Sequence, residues 1–393
     1  MSISEESQPA RDSKFNMTRR DFGRLALGAA VLTASAGRSS AKLPPLPPGI
    51  KIGTYARNPT EENMLYLREL GVRSISNGDI TPETANVEGF TRMRERWEAG
   101  GFRVFNEYGR IAPNGKAVIN VPEIVLNLPG RDERIEEFQN YLRFLGKAGI
   151  PYITYGFEGN GNWRSGKATL PRGYTASDCD VSSPDFHGGW NGKIYKEPLS
   201  HGRVFSREEI WENYTHFIKR VVPVAEESGV RIGIHPDDPP EPVLAGVPRL
   251  FTSFEGYKRA MEIANSPNVG VCLCVGSWLE GGDRMGADPV EVIKYFGAQK
   301  KLFKIHFRNV TSPLPHFTET LMDDGYYDMY KVMEALVDIN FDGLVIPDHV
   351  PELGTEGAER EATGQFRPRS GLAYSLGYLN ATLKAALRSR GKG

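Results

Sequence analysis

Ile232-Gly233-Ile234-His235-Pro236-Asp237-Asp238 is a short apolar run that ends in a histidine, a proline and two carboxylates. Three later segments share this construction: Val271-Cys272-Leu273-Cys274-Val275-Gly276-Ser277, Phe303-Lys304-Ile305-His306-Phe307-Arg308-Asn309 and Leu344-Val345-Ile346-Pro347-Asp348-His349. Each has the length and composition of a buried strand and runs into polar residues at its C-terminal end. Side by side in one parallel sheet, the four strands bring His235, Cys274, His306 and Asp348 to a common edge. Two imidazoles, a thiolate and a carboxylate make a suitable ligand set for a divalent transition metal. A single histidine or aspartate at a strand end is usually a solvated rim residue. Four metal-binding side chains at matching ends point instead to an enzyme.

Working outward, the chain alternates strand and helix from residue 50. Apolar runs predict strands at 51–56, 73–77, 103–108, 152–158, 231–236, 269–276, 302–309 and 343–349. Helical periodicity occupies 60–70, 84–99, 131–148, 206–228, 253–265, 288–297, 326–338 and 371–389. Thr60 and the Ser206-Arg207-Glu208-Glu209 capping box open two of these helices, and Gly71, Gly100, Gly149 and Gly229 close others. Eight such units predict a single (β/α)8 barrel over 50–393, whose active site belongs at the C-terminal strand ends. A doubly wound sheet is the alternative, but no Gly-x-Gly-x-x-Gly follows the first strand. The connection at about 165–205 is long, rich in Gly, Pro and Ser, and carries Tyr174, Phe186, Trp190 and Tyr195. It reads as a long loop ordered by its aromatics into a lid. Cys179, His187 and His201 lie within it as minor ligand candidates.

Charge is balanced, with 48 Lys+Arg against 49 Asp+Glu, which gives no footprint for nucleic acid. There are three cysteines, and Cys272 and Cys274 alternate on one strand, so no disulfide framework is expected. Met17-Thr18-Arg19-Arg20-Asp21-Phe22 precedes a weakly apolar run, and Ala34-Ser35-Ala36 follows it. Residues 1–42 therefore read as a twin-arginine signal and leader, and 43–49 as a Pro-rich linker. The partner for export would be the twin-arginine translocase, and the destination the periplasm or another exported location. A homo-oligomer is compatible with this reading.

Parity along the strands refines the candidates. Cys274 lies nearer the strand end, beside Gly276-Ser277, and is the ligand; Cys272 lies one layer deeper as a packed thiol. Lys304 and Arg308 share the inward parity of His306. Arg308 is either a holder of a substrate carboxylate or a salt-bridged rim residue, and Lys304 a buried structural cation. Asp237 or Asp238 would orient the His235 imidazole or a substrate hydroxyl, and His349 would move protons beside Asp348.

Several motifs carry a family resemblance: His235-Pro236-Asp237-Asp238-Pro239-Pro240, Gly246-Val247-Pro248-Arg249, Cys274-Val275-Gly276-Ser277 and His306-Phe307-Arg308-Asn309. Phe317-x-Glu319, Asp324-Gly325-x-x-Asp328-Met329, Asp348-His349 and the earlier Trp163-Arg164 add to it. From about residue 135 onward the chain resembles mannonate dehydratase, a metal-dependent barrel of the xylose-isomerase-like superfold. The resemblance implies a hydro-lyase that dehydrates D-mannonate, or a related sugar acid, to 2-keto-3-deoxygluconate with Mn²⁺ or Fe²⁺. It implies His235, Cys274, His306 and Asp348 as ligands and His349 as the acid/base. Arg308 and Asp237 join His349 as expected catalytic residues, with Asp238, Trp163, Asn309, Glu319 and Tyr374 as expected substrate contacts. Ser370 stands where the family has a tyrosine, which makes Tyr374 the candidate replacement, and Thr318 stands where a histidine is common. The rival readings are a sugar isomerase or epimerase of the same superfold, with Glu158 as its base, and a non-catalytic sugar-binding barrel.

Overall fold

The computed structural model describes residues 46–107, 111–196, 198–355 and 369–392. The twin-arginine segment lies outside the described residues. Eight strands form the barrel: β1 (Lys51–Ala56), β2 (Ser74–Asn77), β3 (Arg103–Glu107), β4 (Tyr152–Tyr155), β5 (Arg231–Ile234), β6 (Val269–Cys274), β7 (Leu302–Phe307) and β8 (Leu344–Pro347). Their order in the sheet is β3-β2-β1-β8-β7-β6-β5-β4, and every paired neighbour is parallel. The two ends of this order, β3 and β4, lie against each other and bring the sheet nearly to closure. Helices α1 (Glu61–Glu69), α2 (Val87–Ala99), α3 (Arg131–Ala148), α4 (Arg207–Glu227), α5 (Phe254–Ala264), α6 (Pro289–Ala298), α7 (Met329–Asp338) and α8 (Arg369–Ser389) alternate with the strands. The (β/α)8 expectation holds, strand by strand.

Local chemistry explains the boundaries. The Thr60 hydroxyl accepts from Asn63 N and the Ser206 hydroxyl from Glu209 N, each satisfying an otherwise unpaired N–H at a helix start. Gly149 closes α3 in the left-handed region at φ 74°, which a side chain would resist. Strands β6, β7 and β8 are buried at every position, the mark of parallel strands covered on both faces. Aromatic rings fill the layer between strand β4 and the helices; Phe138, Tyr155 and Phe217 meet edge-on or tilted with centroids 5.4 to 6.4 Å apart.

Two expectations change. The segment 165–205 is no long loop: strands Gly166–Thr169, Thr175–Asp180, His187–Trp190 and Lys193–Tyr195 fill much of it. The first two join Asn309–Val310 and His316–Thr320, from the β7–α7 connection, in a four-stranded antiparallel sheet. The other two pair with Asn162–Arg164 in a three-stranded sheet. These two sheets form a cap. Asn191 and Gly192, both at positive φ, make the tight turn between the last two strands. The second change is that β6 stops at Cys274, and Val275–Gly281 is a short helix.

Candidate metal centre and its charged surround

Register puts Cys274 beside His306 on β6 and β7, and His306 beside Ile346 on β8. His235 follows the end of β5, where its N–H donates to Tyr155 O. The result is the cluster expected: one donor atom from each of His235, Cys274, His306 and Asp348, all within 4.8 Å of one another. Cys179, His187 and His201 are not part of it.

The inner atoms are identifiable from their contacts. His235 Nε2 is 3.2 Å from His306 Nδ1, which is 3.5 Å from Asp348 Oδ1, while Cys274 Sγ is 3.4 Å from Asp348 Oδ2. His235 Nδ1 rests 2.7 Å from the carbonyl of Pro236. That contact places its proton on Nδ1 and leaves Nε2 free as a lone pair. Burial lowers the His235 pKa to about 4 and that of His306 well below its ordinary value, against the pull of Asp348 on both. Both imidazoles are thus neutral at pH 7, the form that ligates. Burial would raise the Asp348 carboxyl, yet His349, His306 and Arg308 hold it well below the usual range. Burial pushes the Cys274 thiol up, opposed by Arg308 and by a hydrogen bond from Ser277 N. Only a cation among the ligands would draw that proton off. The donor set is therefore fit for a divalent metal ion.

A network of buried charges surrounds the ligands. The fully buried Arg308 guanidinium reaches Glu280 Oε1 at 2.5 Å, Glu319 Oε1 at 2.8 Å, Ser277 Oγ at 3.1 Å and Cys274 Sγ at 3.5 Å. Its Nε lies 3.2 Å from Asp348 Oδ2. Gly276 permits this packing, since a Cβ there would collide with the guanidinium. Arg164 adds bonds of 2.9 Å from Nη2 to both Asp238 Oδ2 and Glu319 Oε1. Glu319 Oε1 also meets His349 Nδ1 at 2.6 Å. His349 Nε2 lies 3.9 Å from Asp348 Oδ2, and the side chain is 44% exposed. Burial would lower the His349 pKa, but Glu319 and Asp348 together raise it above the ordinary value. Glu319 itself is brought to about 2, burial being outweighed by His349 and Arg308.

A family model described as D-mannonate dehydratase (UxuA) matches residues 184–389. A mannonate dehydratase from Streptococcus equi subsp. zooepidemicus is 31% identical over 276 residues, covering 66% of this chain and 75% of the relative. The chain belongs to the mannonate dehydratase family. A second member, from Thermotoga neapolitana, is 32% identical over 297 residues, covering 68% of this chain and 80% of its own length. The crystal structure of mannonate dehydratase from Streptococcus suis serotype 2 superposes with a TM-score of 0.72 at 25% identity, covering 88% of this chain and 96% of that one. A xylose isomerase domain protein from Planctomyces limnophilus, at 14% identity and a TM-score of 0.53, shares the fold over 87% of this chain and 99% of its own.

Within this family framework, several expected residues take other places. Arg308 does not present a free cation to a substrate carboxylate, because its guanidinium is taken up by Glu280, Glu319 and Asp348. Asp237 accepts from Phe251 N at 2.7 Å and faces Arg249, so it is engaged by the protein frame and not by the ligands. Asp238 is bound by Arg164. The Trp163 ring is fully buried against Phe186, centroids 5.1 Å apart, over Gly188, which has no side chain to obstruct it. Asn309 braces the loop after β7 through Met322 O and Tyr327 O. Glu319 alone of the expected substrate contacts touches the His349 imidazole.

Tyr374 packs with Leu170, Tyr174, Ala176 and Leu321, and its hydroxyl donates to Asp323 at 2.7 Å. It fastens the cap to α8. Tyr374→Phe should accordingly leave turnover unchanged and lower the thermal midpoint slightly; a collapse in kcat with unaltered stability would return the tyrosine to the chemistry. Glu280, Arg164 and Tyr55 were not singled out as site residues, because nothing local in the sequence marks a partner 28 to 251 positions away. A cleft of about 1340 Å³ between α1 and α2 is lined by none of the four ligands and reaches this region at Tyr55.

Proposed function

We propose that the chain is a metal-dependent hydro-lyase acting on D-mannonate or a close sugar-acid relative and yielding a 2-keto-3-deoxy product. The observation that carries this reading is His349: half exposed beside the four-donor cluster, with one nitrogen held by a buried carboxylate. His235, Cys274, His306 and Asp348 would hold the ion, for which Mn²⁺ or Fe²⁺ is proposed. Bound there, it supplies Lewis-acid chemistry toward substrate oxygens.

The chain's own contribution follows from charge and placement. Elimination breaks the C2–H and C3–O bonds: the C2 proton goes to solvent base, the C3 hydroxyl leaves as water with a proton from His349, and the enol that remains tautomerises to the 2-keto group. Glu319 keeps a proton on His349 Nδ1, which leaves Nε2 facing the cluster beside Asp348. The raised pKa favours the imidazolium, the form that can protonate a departing C3 hydroxyl. Arg308 and Arg164 fix Glu319 and exclude water from behind it. The isomerase rival loses its base: Glu158 is buried, accepts from Asp238 N and lies 3.5 Å from Arg249.

The test is to incubate the Mn²⁺-loaded protein with D-mannonate and a panel of other sugar acids and to follow 2-keto-3-deoxy products. Isomerised sugar as the only product from any substrate overturns the lyase reading. We also propose export by the twin-arginine translocase, supported by the Thr18-Arg19-Arg20-x-Phe22 run. Replacing both arginines with lysine should strand folded protein in the cytoplasm; undiminished export of the double variant refutes the assignment.

A further inference from the structure

The two histidines of the cluster face it through different nitrogens, His235 through Nε2 and His306 through Nδ1. Their outward nitrogens are held by unlike partners. His235 Nδ1 meets a main-chain carbonyl, which no substitution removes. His306 Nε2 is 3.0 Å from the phenol oxygen of Tyr55, on β1. The two rings stand edge to face, with centroids 5.8 Å apart and planes at 76°. Tyr55 is 5% exposed, so the contact is made away from bulk water. The fully buried Lys304 ammonium lies 4.8 Å from the Tyr55 ring centroid. It donates to Ser76 on β2 and Asn106 on β3, at 2.9 and 3.2 Å. A cation over the ring face and a fixed hydrogen bond at the hydroxyl together define the orientation of the phenol.

We propose that Tyr55 is a positioning residue of the metal centre: its oxygen accepts the Nε2–H of His306 and so keeps the Nδ1 lone pair turned toward the ion. This rests on the metal-dependent reading above. The physical reason lies in the single proton of a neutral imidazole. With that proton on Nε2, Nδ1 is a ligand; with it on Nδ1, an N–H points into the cluster and closes it. A buried N–H without an acceptor costs roughly 1–3 kcal/mol, so removing the phenol oxygen makes the ligating tautomer the less favourable one. Partners of this kind change metal affinity by roughly 10- to 100-fold. Tyr55 lies outside the span 184–389 matched by the family model. The inference thus gives a function to a part of the chain that contributes none of the four ligands.

The experiment uses the full chain, stripped of metal and titrated with Mn²⁺ against a fluorescent chelator. Tyr55→Phe should bind roughly 10- to 100-fold more weakly than wild type, with an unchanged metal-free thermal midpoint and near-normal kcat at saturating Mn²⁺. Nitrogen-15 imidazole shifts of the metal-free wild type should show His306 protonated on Nε2. That measurement decides the matter even if the variant fails to fold. Wild-type affinity in Tyr55→Phe, or an Nδ1–H tautomer at His306 in the wild type, overturns the assignment. A wild type that binds no divalent ion overturns it together with the metal centre. A wild type that binds metal yet dehydrates no sugar acid sinks the proposed reaction alone, and Tyr55 is then judged by the affinities.

Discussion

His349→Gln should lower kcat by roughly a hundred- to ten-thousand-fold and leave the metal bound. The imidazole is the half-exposed titrating group beside the ligands, and glutamine keeps its size and polarity without a transferable proton. Metal analysis of the variant separates loss of chemistry from loss of the ion. Glu319→Gln supplies the companion measurement. Burial lowers the His349 pKa while the Glu319 and Asp348 carboxylates raise it, so neutralising Glu319 must bring it down. If the imidazolium is the active form, activity falls as pH rises through that pKa. The falling limb of the pH–rate profile should therefore move to lower pH in Glu319→Gln. A limb that stays in place, with kcat merely scaled, would show that Glu319 does not set the protonation of His349.

Cys274→Ala should release most of the bound metal and abolish turnover at ordinary metal concentrations, whereas Cys272→Ala should retain both. The two thiols sit two residues apart on β6 and are equally buried, but only Cys274 enters the four-donor cluster. A change in an outer partner moves metal affinity by roughly 10- to 100-fold, and loss of a ligand should exceed that. Bound ions are counted by elemental analysis after dialysis. Full occupancy in Cys274→Ala would remove sulfur from the ligand set and revive a carboxylate-and-histidine site of the isomerase type. Affinity should also weaken in acid, since protons compete for His235, His306 and Asp348.

The barrel and its ligands were legible because their signals are local. Val269–Cys274 and Leu302–Phe307 are continuous apolar runs, and the ligands stand at their ends. The cap was not legible as strands. Its segments are two to six residues long, and the burial of Thr175–Asp180 does not alternate. Asn191-Gly192 makes a tight turn, but between strands of only four and three residues. Cys274 ended its strand early because Ser277 N bonds back to the sulfur and starts a helical turn, which the apolar run conceals. The charged surround was illegible for a different reason. Arg164, Asp238, Glu280, Arg308 and Glu319 meet only after the barrel closes, and ion pairs at such separations leave no periodicity. Arg308 in particular has the parity of a substrate-facing residue and becomes a brace because four carboxylates reach it first.

The antiparallel sheet of the cap is woven from two connections, one after β4 and one after β7, with His316–Thr320 paired directly to Thr175–Asp180. Glu319 is part of that weave. Evolution therefore cannot exchange this roof as a detachable module. Grafting a relative's 165–205 segment alone would strand the edge that carries Glu319 and disturb the proton-handling histidine along with the entrance. Remodelling selectivity here calls for swapping both connections as a matched pair, and natural variation in the two should drift together.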